Sequence, residues 1–482
     1  RFFFFARISS TRSKIAVRTR VLSATRSAQD TQWKQQGLSA EERVRRQIGA
    51  GDEAGQCRQQ VGVEAGLGFV EDHQFARSRA EQGREPEEVA QGPVGQLGGT
   101  ERSEQAGLDV DVYAQEYTAG GTASARGRHE DSAMKCSEPR RLGRAGIDVT
   151  ALGLGTAPLG GLYMPVRAQD ARETLQAGWD AGIRYFDTAP MYGLGRSEHL
   201  AGEALRERDP GSFRVSTKVG RLLSFDRPGR QLPPEGPRNE FDSGWHNGLP
   251  FREVFDYSRD AILRSFDDSR QRTGLSRLDL LFVHDIGRVT HGERHEEHWS
   301  ALTKGGGFRA LAELKAAGLI AGFGLGVNEW QVIRDAMEEG DLDVCLLAGR
   351  YTLLDGGAGE SFLPFARSRG VDLVVGGVFN SGVLASASGP AKYNYVDAPP
   401  EILHRVERLR AVCARFDVPL PAAALQFPLR HPAVGAVVIG AKSANEVREN
   451  VAWFERAIPD ELWQTLASEG LTSEAVAAAH PI

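Results

Sequence analysis

From residue 134 onward the chain alternates short, continuously apolar runs with stretches of helical period. Ala151–Thr156, Tyr185-Phe186-Asp187, Phe213–Lys218, Leu278–Val283, Ala321–Val327, Val344–Leu347, Leu373–Val375 and Ala436–Ile439 each predict a strand. Because these runs are continuous rather than alternating, both faces of each strand are expected to be buried, as in a parallel sheet. Between them, Ala168–Ala181 carries Ala171, Leu175, Gly178 and Trp179 on one face and predicts a helix. Further helices are predicted near Glu198–Arg206, over Tyr257–Thr273 and Phe308–Ala317, and where Trp330, Ile333 and Met337 recur at spacings of three and four. Eight strands, each followed by helical sequence, predict an α/β fold: a (β/α)8 TIM barrel, with a small hairpin before it at Arg141–Val149 turning at Gly143-Arg144-Ala145-Gly146. An open doubly wound sheet is the alternative. Against it, Gly153-Leu154-Gly155 lacks the later glycine of a dinucleotide fingerprint.

Residues 1–133 follow no such pattern. Gln, Glu, Arg, Gly and Ser dominate, long aliphatics are few, and no helical or strand period is sustained. Such a segment buries too little apolar surface to offset its chain entropy, so it is expected to be disordered and to lie outside a barrel domain at 134–482. Its opening, Arg1–Gln29, is rich in Arg and Ser and has no acidic residue, as in an organellar transit peptide. The first methionine is Met134, which favours a second origin: upstream DNA translated in frame ahead of the true start.

Composition narrows the partners. A net charge of −6 over 482 residues points to neither nucleic acid nor an anionic membrane. No run approaches the ~18 apolar residues of a membrane span. The four cysteines, Cys57, Cys136, Cys345 and Cys413, lie far apart with no CxxC pair, which suits a reducing compartment and argues against a zinc knuckle. A soluble cytoplasmic protein is expected, monomeric or a small homo-oligomer, acting on a small molecule.

The active site of such a barrel lies at the carboxyl ends of its strands. Asp187 ends the second strand, and Tyr192 follows it in the loop opened by Pro190 and Gly193; Lys218 ends the third strand and His284 the fourth. Adjacent strands bring these four side chains to one mouth. A phenol, with a reference pKa of about 10, is too weak an acid for proton exchange near neutrality, and a neighbouring Lys218 ammonium lowers that value. Asp187 would hold Lys218 in place, and His284 would orient a substrate oxygen toward Tyr192. This set moves a proton and contains neither nucleophile nor metal, so a hydride-carrying cofactor is implied.

Phe186-Asp187-Thr188-Ala189-Pro190-Met191-Tyr192-Gly193, Ser216-Thr217-Lys218-Val219-Gly220 and Leu281-Phe282-Val283-His284-Asp285, in this order, resemble the aldo-keto reductase superfamily, from about Arg140 to about Ala457. The resemblance implies an Asp-Tyr-Lys-His tetrad at Asp187, Tyr192, Lys218 and His284. Leu152–Tyr163 looks closest to the branch holding D-threo-aldose (L-fucose) dehydrogenases and pyridoxal 4-dehydrogenase, with Tyr163 beside the substrate. The implied reaction is oxidation of an aldose at its anomeric carbon to a lactone. Pyridoxal oxidation and general aldehyde or ketone reduction are the enzyme alternatives, and a cofactor-binding regulatory subunit is the non-enzymatic one.

The resemblance also places a nicotinamide dinucleotide. Gly326-Val327-Asn328 is similar to a turn whose Asn holds the nicotinamide amide, although Val327 replaces the family serine, and Gly376-Gly377 stands where a stacking aromatic is often found. Phe379-Asn380-Ser381-Gly382 resembles a pyrophosphate clasp. Ile439–Asn450 resembles the adenosine segment, with Gly440, Lys442, Ser443, Glu446, Arg448 and Asn450 as candidate contacts. Lys442, Ser443 and Arg448 favour a 2′-phosphate and hence NADP; Glu446 favours an adenine amine or a ribose hydroxyl, and NAD remains equally open. The Leu222–Pro250 loop, carrying Trp245 and His246, is expected to overhang the substrate pocket. His291, His295 and His298 share a helical spacing that metal sites use, but their polar surroundings read as a surface loop, and no metal is expected. Trp330 reads as core.

Overall fold

The structure, a computed structural model, describes residues 133–225, 244–386 and 391–478. A hairpin of β1 (Pro139–Leu142) and β2 (Ile147–Thr150) precedes the barrel, its turn spanning Gly143 to Gly146. The eight apolar runs form β3 (Leu152–Gly155), β4 (Tyr185–Asp187) and β5 (Arg214–Val219), then, beyond an inserted pair β6 (Arg221–Ser224) and β7 (Arg252–Phe255), β8 (Leu280–His284), β9 (Gly322–Val327), β10 (Val344–Ala348) and β11 (Asp372–Gly376). A two-residue pair, β12 (Lys392–Tyr393) and β13 (Val396–Asp397), interrupts the path to β14 (Val434–Gly440). All eight barrel strands are parallel and follow chain order, and β14 closes the barrel on β3 with Val437 opposite Leu152. The fold is a (β/α)8 barrel.

The alternation hidden in the continuous runs now has a meaning. Tyr185, Leu280, Phe282, Val344, Leu346, Val374, Ala436 and Val438 fill the barrel interior, while Phe186, Leu281, Val283, Leu347, Val437 and Ile439 face the surrounding helices. Leu142, Ala145 and Val149 of the hairpin join the interior cluster. The Gly143 amide donates to Asp372, the first residue of β11, at 2.6 Å, so the hairpin plugs the amino-terminal end and leaves the carboxyl-terminal mouth open.

The helices sit where the sequence predicts them, with ends shifted by a residue or two: Ala168–Asp180, Arg196–Leu205, Arg259–Thr273, Gly307–Ala316 and Trp330–Glu339. Trp330 is partly buried against the core and stacks on Phe362 at 5.6 Å between ring centroids. Two features at the mouth were not legible. The Leu222–Pro250 segment begins inside β6, which leaves β5 through Gly220 (φ +93°) and pairs with β7; its residues 226–243 lie outside the described residues. The β12–β13 pair is a tight hairpin whose turn residues, Asn394 and Tyr395, both take left-handed backbone (φ +49° and +69°). Among the described residues no helix is long and apolar enough to cross a membrane. Residues 1–132, the bulk of the segment expected to be disordered, lie outside the described residues.

Candidate active site

Asp187, at the end of β4, is the anchor. Its Oδ2 accepts from the Lys218 ammonium at 2.7 Å and its Oδ1 from the Ser216 hydroxyl at 2.7 Å. Since a carboxylate only accepts, Ser216 spends its proton there and must accept from the Tyr185 hydroxyl, 3.0 Å away. Lys218 also donates to the Thr188 carbonyl at 3.0 Å, and its Nζ lies 4.6 Å from the Tyr192 ring centroid. Opposite it, β9 carries Gly326, where a Cβ would stand 3.4 Å from Lys218 Cε. Tyr185 and Ser216 give no signal as site residues in the sequence, because Tyr185 reads as an ordinary strand former and Ser216 as a small residue inside a strand run.

Three loops fix Tyr192. At Gly160, after β3, a Cβ would fall 2.5 Å from the Gly193 amide nitrogen, so the two loops meet backbone to backbone. The Leu249 amide donates to the Gly193 carbonyl at 3.0 Å, and the Ser197 amide to that of Tyr192 at 3.1 Å. Burial pushes the Tyr192 phenol above its ordinary 10.0, and Lys218 opposes that push without overcoming it. The ammonium is visible in the sequence, whereas the larger opposing effect, desolvation, appears only once the phenol is seen to be buried. Burial disfavours the Lys218 charge too, but Asp187 and Tyr192 more than offset it and hold the ammonium above its ordinary value.

His284, nearly buried at the end of β8, meets Tyr192 edge-on with ring centroids 6.0 Å apart. Burial, with Arg221 and Lys218 nearby, holds its pKa well below 6.5, so the imidazole is neutral. Arg221 is buried just past β5 and donates to Asp285 at 2.5 Å and Glu253 at 3.2 Å. Asp285 in turn accepts from Asn328 Nδ2 at 3.3 Å. The sequence showed no reason to pair Arg221 with Asp285, because 64 residues separate them.

The three histidines are not a polar loop. They lie on short helices (Arg288–His291 and His295–Thr303), His295 and His298 are buried, and the His291 and His298 rings lie 4.1 Å apart. Tyr257 donates to the His284 carbonyl at 2.8 Å and lies 2.9 Å from His291 Nε2, so the cluster braces the strand end that carries His284. Burial, then His298 and Arg221, pushes His291 down to about 3. Among the described residues no group of three or more His, Cys, Asp or Glu is arranged to hold a metal ion.

Aromatic side chains rim the mouth. Trp245 lies 5.8 Å from Tyr192 between ring centroids and its backbone bridges to Leu162. Tyr163, 37 % exposed, faces Tyr395 at 6.2 Å. Tyr395, absent from the sequence reading, sits close enough to Tyr192 and Asp285 that both act on its phenol, which burial pushes well above 10.0. The His246 side chain is exposed, and only its backbone is tied down, by a bond to the Gly161 carbonyl at 3.1 Å.

The candidate cofactor residues fall in three places. Asn328 holds its side-chain NH2 toward Asp285, and its backbone carbonyl accepts from Arg350 at 2.8 Å. After β11, Asn380, Ser381 and Gly382 all have left-handed backbone (φ +46°, +62° and +100°). Asn380 donates to the Gly349 carbonyl at 3.3 Å, while its buried Oδ1 has no partner; Ser381 Oγ accepts from the Tyr395 amide, and Phe379 packs edge-on against Trp453. A buried amide oxygen without a donor is what a bound amide or hydroxyl would satisfy. Past Gly440, Ser443 caps the helix Ala444–Phe454 by accepting from the Glu446 amide at 3.2 Å. Glu446 reaches back to the Lys442 amide at 2.9 Å and lies 3.4 Å from the Lys442 ammonium. Arg448 is bonded to Asn445, and Asn450 is buried on the inner face. The Lys442 amide and ammonium are thus both taken up by the Glu446 carboxylate.

Residues 151–469 match a model of the aldo/keto reductase family. The chain is 64 % identical over 341 residues to a pyridoxal 4-dehydrogenase from Microbacterium luteolum, covering 70 % of this chain and 99 % of that one. It is 38 % identical over 340 residues to a D-threo-aldose 1-dehydrogenase from Pseudomonas sp., again 70 % and 99 %. Among solved structures, an aldo-keto reductase from Bacillus halodurans in its holo form superposes with a TM-score of 0.54 at 25 % identity, covering 72 % of this chain and 98 % of that one.

Proposed function

The chain belongs to the aldo/keto reductase family and is an oxidoreductase, and from that premise we propose that it oxidises the cyclic hemiacetal of pyridoxal to a lactone, with NAD as its preferred hydride acceptor. The observation that carries the substrate is the 64 % identity to a pyridoxal 4-dehydrogenase along 99 % of that relative's length, against 38 % for the aldose enzyme. It reverses the order expected from the sequence, which put the aldose first. The rim of Tyr163, Trp245 and Tyr395 adds a physical reason: flat aromatic faces suit a flat pyridine ring.

Both candidate substrates present a ring hydroxyl next to a ring oxygen, so the proton chemistry is common to them. The hydroxyl gives its proton to ionised Tyr192, the carbon beneath gives up a hydride, and a lactone remains. Lys218, held by Asp187 and Thr188, steadies the phenolate. Neutral His284 offers an N–H to the same oxygen and adds no charge to be desolvated. Asn328, Asn380 and the start of the helix Ala444–Phe454 would hold the dinucleotide, whose nicotinamide supplies the hydride-accepting carbon when bound. Glu446 supports NAD. It already occupies the Lys442 amide and ammonium, so a 2′-phosphate would bring further negative charge to a carboxylate.

The test follows reduced-nicotinamide absorbance for the full chain with pyridoxal, L-fucose and other aldoses, each with NAD and with NADP. The highest kcat/KM is expected for pyridoxal with NAD, giving a product two hydrogens lighter than pyridoxal. A higher value for any aldose would overturn the substrate, and cofactor binding without turnover of any compound would overturn the enzyme reading.

A further inference from the structure

Asp285 follows His284 directly, and its backbone is left-handed (φ +46°), a conformation that disfavours every residue but glycine and, less severely, Asn and Asp. That turn throws its side chain across the barrel mouth. There it meets residues from three neighbouring strand ends: Arg221 at 2.5 Å, Asn328 Nδ2 at 3.3 Å and His284 Nε2 at 3.5 Å. Its own amide donates to the Gly326 carbonyl at 3.0 Å, which ties the turn to β9.

A carboxylate has acceptors only, whereas an amide has a donor end and an acceptor end. The partner of Asp285 is therefore the NH2 of Asn328, and the Asn328 oxygen is left to face elsewhere. Arg350 fixes the backbone of Asn328 from the other side at 2.8 Å, so the side chain has one remaining choice, which way its amide is turned. We propose that Asp285 is a positioning residue that makes this choice, presenting the Asn328 oxygen as the acceptor for the carboxamide N–H of a bound nicotinamide. This rests on the dinucleotide reading above. Asp285 then joins the two halves of the reaction, because one carboxylate touches the histidine on the proton side and orients the amide on the hydride side.

Asp285→Asn is the informative change. Asn tolerates left-handed backbone, and Arg221 keeps Glu253 at 3.2 Å, so the fold has no reason to fail. The new amide offers its oxygen to Arg221 and its NH2 to Asn328, placing donor against donor. Asn328 must turn over, and a donor then faces the carboxamide N–H. Equilibrium titration without substrate should show NAD binding weakened about tenfold or more, the cost of replacing a hydrogen bond by a mismatch. Binding of ADP-ribose, which has no nicotinamide, should be unchanged. The exchange D285N/N328D restores the pattern in reverse. The amide, moved to the β8 end, donates to the carboxylate, moved to the β9 end, and an acceptor oxygen again faces the nicotinamide, so the exchange should recover most of the lost NAD affinity. It also serves as the test should the single variant melt early. Unchanged NAD binding in Asp285→Asn, equal losses for NAD and ADP-ribose, or no recovery in the exchange would overturn the proposal. A wild-type chain that binds neither NAD, NADP nor ADP-ribose would instead overturn the dinucleotide reading.

Discussion

Tyr192 is a phenol whose proton is held more tightly than in water, because burial outweighs the Lys218 ammonium. The pH dependence of each direction follows from that sign. With its pKa above the ordinary 10.0, Tyr192 is protonated at neutral pH, which suits donation in reduction; oxidation needs the phenolate and should rise as pH rises toward that pKa. His284, with its pKa far below 6.5, stays neutral throughout and should add no limb near neutrality. Tyr192→Phe keeps the ring and removes the proton, so turnover should fall by ~10²–10⁴-fold while NAD affinity survives. The pH–rate profile of oxidation checks both points, and substantial activity in Tyr192→Phe with the same profile would assign the proton to another group. At this scale the placement of Asp187, Tyr192, Lys218 and His284 could be read from the sequence, since each is a polar type at or just past the end of a buried strand. Their supports could not. Tyr185 looks like a strand former and Ser216 like a small residue within a strand, and Arg221, Asp285 and Tyr395 acquire their partners only when segments distant in sequence meet at the mouth.

Among the elements, the barrel strands were legible because burial on both faces leaves a continuous apolar run, which little else in a chain of this kind produces. The β6–β7 and β12–β13 pairs were not, because they stand outside the barrel's closed sheet and carry no such run: β6 is buried but opens on Arg221, and β7, β12 and β13 are at most partly buried. The histidine segment resembles a surface loop by its polarity, but His295 and His298 turn inward on a helix, where Tyr257, His291 and Trp299 meet their rings. Helix packing carries its own prediction. At Gly202, in the helix Arg196–Leu205, a Cβ would fall 1.9 Å from the carbonyl oxygen of Thr273, the last residue of Arg259–Thr273. Backbone cannot yield as a side chain can, so Gly202→Ala should force the two helices apart and cost roughly 1–3 kcal/mol despite alanine's better helix propensity. Denaturant unfolding beside wild type measures this, and an unchanged midpoint would mean that the helices slide freely.

For the molecule as a whole, the aldose and pyridoxal relatives are each covered to 99 % of their length by 70 % of this chain, and the family match begins at residue 151. Together with the apolar-poor composition of residues 1–133, this leads us to expect that a chain begun at Met134 keeps its melting temperature and its kcat/KM for pyridoxal. Loss of folded protein on that truncation would show that the segment packs against the barrel. The barrel also has a seam. β3 is flanked by β4 on one side and by β14 on the other, so Leu152 waits for Val437, and the Cys136 amide waits for Glu455. A ribosome adding about 5–20 residues per second needs roughly 14–57 s to pass from one side of that seam to the other. Throughout that interval the first strand has an open edge, and the nascent chain is an unclosed sheet with its apolar interior reachable by other chains. For this protein the exposed edge therefore belongs to the time of synthesis, when the sheet is still half rolled.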